Sequence, residues 1–478
     1  MHYYKLLMLL VLIIASSPKA ECQTTFFKTY GDKAQDHYDI GNAVIQTENG
    51  GYVAAGVTGM YSEPGSPMKL YGDVYLLKTN EYGDTLWTKK YGNPDLREIA
   101  YSMCSTIDGG FMLSAYGSEQ LWLIKTDSQG DSLWSKKYPA GIGYCIQRTN
   151  DNCYIITGGN YPAGIYLLKI NSDGDTLWMK FYDGIDGWSV QQTSDDGYII
   201  AGFKKPTEGI WLIKTDSRGD SLWTKIYSCS ILDEPYSICE TNDGGYFVTG
   251  AYTSKDCEGC ELELHIWLLK TDSSGDTTWT KKIDMSNWDL AYKGRQTRDG
   301  GYIIAGETVV GYKNYIYMAK LDSSGNIEWS NPLIGEDYDQ SRAFDIIETA
   351  DGGYIITGDS HLDLCLVKVN NKGQLTDVKD EKTIIPTDYT LLQNYPNPFN
   401  PGTQISFQIS ERGLVSITIY DILGKEVITL LNEEKEQGSY TLNWDGKDKN
   451  GKMVSSGIYL CRLQSGSLSL CKKMALIR

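Results

Sequence analysis

One hairpin signature occurs seven times along this chain, and that repetition constrains the possible fold more than any other feature. Each copy sets an aromatic residue directly after a tight turn, and successive copies lie 43 to 59 residues apart. This period is typical of a unit of four antiparallel strands. The seven aromatic residues are Tyr52, Phe111, Tyr154, Tyr198, Tyr246, Tyr302 and Tyr354.

Residues 187–227 show how one unit is expected to fold. We expect glycine in its turns because the reversal of the chain requires a positive φ, which is costly for a residue with a Cβ. Alternation of apolar and polar residues predicts four strands, namely Trp188–Thr193, Tyr198–Gly202, Ile210–Thr215 and Ser221–Tyr227.

Six units end in a tryptophan, and the seventh unit lacks its fourth strand. Residues 24–31 resemble residues 85–92 and put Phe26 where that tryptophan belongs. A closed ring removes exposed sheet edges, and a borrowed strand locks its two ends together. The sequence therefore predicts an all-β protein in which residues 23–373 form a seven-bladed β-propeller closed by an N-terminal strand. The tryptophans are Trp87, Trp134, Trp178, Trp223, Trp279 and Trp329.

The turn between the third and fourth strands, as in residues 270–279, resembles the Asp/Gly/Trp repeat of quinoprotein-like propellers. The resemblance implies the fold and carries no cofactor with it. We expect no cofactor.

The first 22 residues are typical of an export signal. Lys5 precedes an apolar run, Leu6–Ala15, that is too short for a stable membrane anchor, and small residues follow. We predict a signal peptide over residues 1–22, with lipidation of Cys22 as an alternative. No later segment is apolar enough to span a membrane, so the mature chain is expected in an oxidising compartment without a transmembrane segment.

A polar linker is predicted over residues 374–390, and a second domain over residues 391–478. The second domain contains a motif made of Asn394, Tyr395, Pro396, Asn397, Pro398, Phe399, Gly424, Trp444, Asp445, Gly457, Tyr459 and Lys472. With this motif the domain resembles the C-terminal sorting domain, type A, of cargo of the type IX secretion system. The resemblance implies the type IX secretion machinery as a partner, export through the periplasm, and an extracellular or outer-surface location.

The same segment also predicts a small immunoglobulin-like β-sandwich without the resemblance. Residues 415–420, 440–444 and 458–463 alternate as strands, with glycine in the turns between them. Cys461 and Cys471 lie on either side of Gly466, and both a cross-strand disulfide and two unpaired thiols fit this arrangement.

Charge excludes nucleic acid as a partner. The chain carries a net charge of −17, whereas residues 391–478 alone carry +2, so the acidity belongs to the predicted propeller. Affinity for a phosphate backbone depends on clustered Lys and Arg, which an acidic domain does not offer.

The connections between second and third strands vary most in length. Residues 57–73, 251–265 and 307–315 are long, so we expect a glycan or protein ligand on the face that carries them. Neutral variation in surface loops is the alternative.

Each predicted inner strand carries one residue in matching register, and six of the seven are aromatic. We expect them to fill the core between blades, because ligand contacts rarely repeat with the symmetry of a scaffold; a ligand-stacking ring is the alternative. They are Asn42, Tyr101, Tyr144, Trp188, Tyr236, Tyr292 and Phe344.

The sixth inner strand breaks the pattern of neutral residues on its other side. Lys293 and Arg295 stand there, and the neighbouring strand presents Asp345, which predicts a charged cluster in the central channel. An ion pair that plugs the channel is the preferred interpretation, and an anion site is the alternative.

Cys257 and Cys260 are the one pair with metal or redox spacing, and His265 follows them. In an exported loop we expect a disulfide between the two cysteines, with metal binding as the alternative. The Asp-rich turns lack the ligand pattern of an EF-hand, so no metal site is predicted.

A binding protein fits these observations better than an enzyme. Histidines are few and scattered over different units, so no catalytic residues are predicted. The alternative function is an extracellular propeller-based enzyme, a glycan hydrolase or lyase or a quinoprotein-like catalyst, and carboxylate-only catalysis remains open.

Overall fold

The computed structural model divides the chain into two compact units, residues 1–378 and residues 379–478. None of the residues that it describes belongs to a helix with the length and hydropathy of a membrane span. The structure describes residues 23–31, 37–63, 66–93, 96–204, 209–228, 230, 233–254, 263–286, 288–310, 313–333, 341–375, 390–391, 394, 399–409, 412–435, 438–466 and 468–477. The predicted signal peptide lies outside these residues.

The described part of the first unit contains strands alone as regular elements, and they form antiparallel sheets of four strands each. The strands are β1 (Phe26–Tyr30), β2 (Tyr38–Gln46), β3 (Tyr52–Glu63), β4 (Ser66–Thr79), β5 (Thr85–Tyr91), β6 (Glu98–Ser105), β7 (Phe111–Gly117), β8 (Gln120–Thr126), β9 (Ser132–Tyr138), β10 (Ile142–Arg148), β11 (Tyr154–Asn160), β12 (Gly164–Ile170), β13 (Thr176–Tyr182), β14 (Asp186–Gln192), β15 (Tyr198–Phe203), β16 (Ile210–Thr215), β17 (Ser221–Tyr227), β18 (Asp233–Glu240), β19 (Tyr246–Ser254), β20 (Glu263–Thr271), β21 (Thr277–Ile283), β22 (Asp289–Gln296), β23 (Tyr302–Val310), β24 (Lys313–Leu321), β25 (Ile327–Leu333), β26 (Ser341–Glu348), β27 (Tyr354–Ser360) and β28 (Asp363–Val369).

Six of these sheets are built from four strands that follow one another in the chain, from β2–β5 through β22–β25. The remaining described sheet of this unit has the order β1-β28-β27-β26. In it β1 runs antiparallel to β28, with Phe26 opposite Lys368 and Tyr30 opposite Leu364. The prediction of an all-β fold with repeated four-stranded sheets is confirmed, and each such sheet is called a blade below.

The blade built from β14, β15, β16 and β17 shows why these residues form this unit. Its strands match the four predicted from residues 187–227. Gly219 has a φ of +78° in the second turn, as expected. In the first turn, however, Asp196 takes the positive φ of +63°. Gly197 is needed for space instead, because a Cβ there would lie 2.2 Å from the carbonyl oxygen of Thr215.

Neighbouring blades are joined by one repeated set of contacts. A Cβ on Gly219 would lie 2.9 Å from the Trp178 ring of the preceding blade, so the indole covers the glycine of the turn. The Tyr182 hydroxyl donates to the Gly219 carbonyl oxygen at 2.7 Å. Lys180 forms an ion pair with Asp220 at 2.7 Å. The fourth strand of one blade therefore packs on the turn between the third and fourth strands of the next blade.

In the three long connections between second and third strands, the paired strands continue further than the sequence predicted. β3 and β4 remain paired out to Glu63 opposite Ser66. β19 pairs with β20 out to Ser254 opposite Glu263, and β23 with β24 out to Val310 opposite Lys313. The strand ladder thus extends into the segments in which the sequence predicted variable loops.

The second unit is a β-sandwich, which confirms the predicted immunoglobulin-like domain. One sheet has the order β29-β30-β33, and the other has the order β32-β31-β34-β35. Their facing sides share one core that includes Ile405, Ile419 and Trp444. The strands are β29 (Thr390–Leu391), β30 (Thr403–Ile409), β31 (Gly413–Asp421), β32 (Glu426–Lys435), β33 (Gly438–Trp444), β34 (Gly457–Ser465) and β35 (Leu468–Leu476).

Cys461 and Cys471 are both unpaired. In the β34–β35 ladder Cys461 lies opposite Lys472, and Cys471 lies opposite Arg462. Cys461 is buried and Cys471 is exposed, so the two thiols do not face one another. Of the two alternatives left by the sequence, the structure has the unpaired thiols.

Candidate functional site

The first strand of each blade described above contains a β-bulge near its start. At the bulge the strand has residues without a partner on the second strand. A bulge interrupts the alternation of the strand and redirects a side chain. The unpaired positions include Asn42, Tyr101, Tyr144, Trp188, Tyr236, Tyr292 and Phe344.

These seven half-buried side chains line a cavity of about 450 Å³. The prediction that they fill the core between blades is therefore only partly right, because the rings contact those of neighbouring blades and also border an open cavity. An unbroken period of two along the inner strands would turn them away from it, whereas the bulge turns them toward it. Their register could be found from the sequence, but the face on which they lie could not.

The six aromatic side chains contact one another in sequence around the cavity wall. Their rings are stacked, tilted or edge-on, which are the favourable arrangements for aromatic pairs. The centroid distances are 5.4 Å for Tyr101 and Tyr144, 4.4 Å for Tyr144 and Trp188, 6.2 Å for Trp188 and Tyr236, 5.2 Å for Tyr236 and Tyr292, and 5.0 Å for Tyr292 and Phe344.

Two carboxylates outside this wall, the half-buried Glu234 and the buried Glu307, hold two of the tyrosines. The Tyr236 hydroxyl donates to Glu234 Oε2 at 2.9 Å, and the Tyr292 hydroxyl donates to Glu307 Oε1 at 2.7 Å. Burial raises the pKa of both tyrosines well above the usual value, and the nearby carboxylates raise it further. Both rings are therefore neutral hydrogen-bond donors held in fixed orientations.

Arg295 and Asp345 form an ion pair in the cavity wall. Arg295 Nη2 lies 3.2 Å from Asp345 Oδ1, and Arg295 Nε donates to the Ile346 carbonyl oxygen at 2.9 Å. Asp345 Oδ2 also accepts the backbone N–H of Val44 at 3.0 Å. The carboxylate is thus saturated by contacts that join neighbouring blades.

Lys293 lines the same cavity, but it forms no ion pair or hydrogen bond with any described residue. Arg148 is a further cation of the wall, and Asp345 is the one carboxylate among the lining residues that the structure describes. The wall therefore carries a net charge of +2 within an acidic unit. The geometry offers aromatic faces beside an ammonium group that has no ion-pair partner among the described residues.

The predicted loop disulfide cannot be placed, because Cys257 and Cys260 lie outside the described residues. The same holds for Tyr395, Pro396, Asn397 and Pro398 of the sorting motif.

Three described motif residues form part of the sandwich core. Trp444 is buried, its ring centroid lies 5.4 Å from that of Phe399 and 5.3 Å from that of Tyr459, and its Nε1 donates to the Lys447 carbonyl oxygen. The Tyr459 hydroxyl donates to the Ser455 carbonyl oxygen at 2.7 Å. These three side chains pack in the interior of the sandwich.

The other described motif residues have different surroundings. The buried Asn394 donates from Nδ2 to Thr403 Oγ1 at 3.0 Å. Gly424 has a φ of +78° in the turn after β31, and Gly457 begins β34. The remaining two are Asp445, which pairs with Lys447 at 2.6 Å, and Lys472, which is exposed on β35.

The repeated four-stranded blades, the lined cavity and the sandwich define the class of protein, which is a β-propeller joined to an immunoglobulin-like domain. Residues 397–468 match a known family, the FlgD Ig-like domain. No curated protein matches the chain.

Solved structures are similar to this chain at low sequence identity. The WD40 β-propeller domain of Doa1 is 12% identical with a TM-score of 0.49, over 74% of this chain and 100% of that chain. PorZ, an essential bacterial surface component of the type IX secretion system of Porphyromonas gingivalis, is 12% identical with a TM-score of 0.41, over 93% and 60%. A protein of unknown function from Bacteroides caccae is 14% identical with a TM-score of 0.38, over 54% and 89%. These similarities are too distant to support a functional argument.

Proposed function

We propose that the chain is a secreted or cell-surface binding protein, exported by the type IX secretion system, whose propeller cavity binds an anionic glycan. The proposal divides the chain into a signal peptide (1–22), a seven-bladed propeller (23–373), a linker (374–390) and a sorting domain (391–478). The observation that carries it is the ring of aromatic side chains beside the unpaired Lys293.

Closure into seven blades is supported by the contacts that β1 makes with the first blade. A Cβ on Gly83 would lie 2.7 Å from the Phe26 ring, as Gly219 does with its tryptophan. The Tyr30 hydroxyl donates to the Gly83 carbonyl oxygen at 2.6 Å. Lys28 pairs with Asp84 at 2.6 Å. These are the contacts that join the other neighbouring blades, and here they join the last blade to the first.

The chemistry of the wall favours an acidic sugar. Aromatic rings stack on the C–H faces of pyranose rings, and a cation pairs with a carboxylate. A volume of about 450 Å³ falls within the usual range for small-ligand sites, which is about 300–1,000 Å³. A short acidic oligosaccharide therefore suits the cavity better than a protein surface does.

The position of the ring supports access from the face with the extended hairpins. Tyr144 follows Gly143, which pairs with Gly158 two residues from the β11–β12 hairpin turn. The aromatic ring thus lies at the end of the cavity that the second-to-third connections surround.

The binding test uses the purified full chain with uronate-containing oligosaccharides and their neutral counterparts, measured by calorimetry. We expect saturable binding of the acidic ligands, with a loss of at least tenfold in Lys293→Gln and in Trp188→Ala. Lys372→Gln, an exposed lysine in a turn far along the last blade, removes the same charge and should bind normally. Equal affinity in Lys293→Gln and Lys372→Gln would contradict the proposal, and so would turnover in a parallel hydrolase and lyase panel.

The export test compares the full chain with a chain that ends at residue 390, in a bacterium competent for type IX secretion. The full chain should reach the cell surface or the medium, and the truncated chain should stay in the periplasm. Export of both chains, or of neither, would contradict the assignment of the sorting domain.

A further inference from the structure

The buried ring of His265 on β20 has one nitrogen without a hydrogen-bond partner among the described residues. The side chain is 1% exposed. Its other nitrogen, Nε2, lies 2.9 Å from the Ser254 hydroxyl oxygen and 3.6 Å from Glu263 Oε2. When Nε2 carries the proton, Nδ1 presents a lone pair to its surroundings.

Two carboxylates face Nδ1. Asp284 Oδ1 lies 3.4 Å from His265 Nδ1, and Asp289 Oδ2 lies 3.7 Å away. In the tautomer with the proton on Nε2, the Nδ1 lone pair and the two carboxylate oxygens repel one another in this buried site unless a cation lies between them. The separations exceed the usual N–H···O distance of about 2.7–3.2 Å. They suit co-ligands of one ion, because tetrahedral ligands at about 2.0–2.2 Å from zinc lie about 3.3–3.6 Å apart.

Asp289 is already held in a fixed orientation. Its Oδ2 accepts the backbone N–H groups of Met285 and Ser286, both at 2.8 Å. Asp233 accepts the backbone N–H of Ser230 in the same way one blade earlier, so this carboxylate is a regular part of the scaffold. Hydrogen bonds of this kind orient metal ligands.

The propeller does not require a histidine at this position. On β20, His265 comes just before Ile266, the first residue of the third strand that pairs with the fourth strand. The equivalent residue is Gly164 on β12 and Gly209 just before β16. His265 is therefore specific to one blade, and the need to cover the core does not explain it.

We propose that His265, Asp284 and Asp289 bind one divalent transition-metal ion, for which Zn²⁺ is the probe. The imidazole nitrogen favours such an ion over Ca²⁺ or Mg²⁺, which prefer oxygen ligands. The Asp284 side chain is 66% exposed, so a fourth position is open to water. The ion would link β20 to the start of β22 in the next blade. This site is separate from the cavity and does not depend on the proposed glycan.

The test titrates the chelator-treated full chain with Zn²⁺ and with Co²⁺. We expect one ion per chain, and a loss of affinity of at least tenfold in His265→Ala and in Asp284→Asn. Asp284 is exposed, so its variant should keep the native tryptophan fluorescence. His361→Asn serves as the control and should bind normally, because asparagine tolerates the positive φ of 55° at that position.

The cobalt spectrum identifies the ligands. Oxygen and nitrogen ligands give weak visible bands without thiolate charge transfer, which is the expected result. A thiolate band would assign the ion to cysteines and overturn the proposal. It would also be overturned by the absence of saturable binding, or by equal affinity in Asp284→Asn and His361→Asn.

Discussion

Replacing Phe26 by alanine should destabilise the first unit as strongly as removing a core aromatic residue. Phe26 is 7% exposed, covers Gly83, and has its ring centroid 5.9 Å from that of Tyr52. Removal of a buried Phe side chain typically costs about 3–5 kcal/mol. The value near 3 kcal/mol is expected here because β1 is a short strand at the edge of its sheet, and it corresponds to more than a hundredfold change in the unfolding equilibrium.

Urea unfolding followed by tryptophan fluorescence measures this cost. Eleven of the 12 tryptophans lie in residues 1–378 and one, Trp444, lies in the second unit, so the signal reports mainly on the propeller. Trp178→Ala removes the equivalent contact within the array and should cost several kcal/mol. Phe181→Ala removes a side chain that is 48% exposed, and it should cost about 1 kcal/mol or less. A cost for Phe26→Ala no larger than that of Phe181→Ala would refute closure by β1.

Two further predictions concern titration and thiol chemistry. Burial raises the pKa of Asp243, but hydrogen bonds from Thr241 and Lys270 outweigh it and lower the pKa to about 2. The stabilisation by this pair is therefore fully present above about pH 5 and is lost as the pH falls toward 2. It is about 1 kcal/mol, because the carboxylate is largely exposed. Asp243→Asn should weaken the pH dependence of the free energy of unfolding, measured in urea over this pH range. Burial raises the pKa of Cys461 to about 12, so iodoacetamide should modify Cys471 in the folded chain and Cys461 only after unfolding. Equal rates at both cysteines would contradict the register of β34 and β35.

The sequence was sufficient for features that depend on local patterns. The likeness of residues 24–31 to residues 85–92 predicted that Phe26 takes the role of a tryptophan, and β1 does pair with β28. The role of Phe26 and the pairing of β1 depend only on the alternation within a strand and on glycine in a turn. These local patterns are present even when the strands of one blade come from both ends of the chain.

The sequence could not predict features that depend on a single extra residue in a strand or on contacts between distant segments. The bulge at Tyr144 shifts the register of β10 by one residue, and a shift of one residue exchanges the two faces of a strand. The sequence related His265 only to the two cysteines that precede it, Cys257 and Cys260. Its partners Asp284 and Asp289 come from a later connection and the next blade, so a spacing along the chain could not relate them.

The bulges also let the side chains of the cavity wall vary independently of the strand pairing that holds each blade together. A bulged residue lies outside the inter-strand ladder and has no partner directly opposite, so its replacement disturbs no cross-strand pair. Asn42 occupies one such position where the other six blades have an aromatic residue, and β2 still pairs with β3 on both sides of it. The side chains of this wall can therefore be exchanged one blade at a time, by evolution or by an engineer, while the backbone hydrogen bonds of each sheet stay in place.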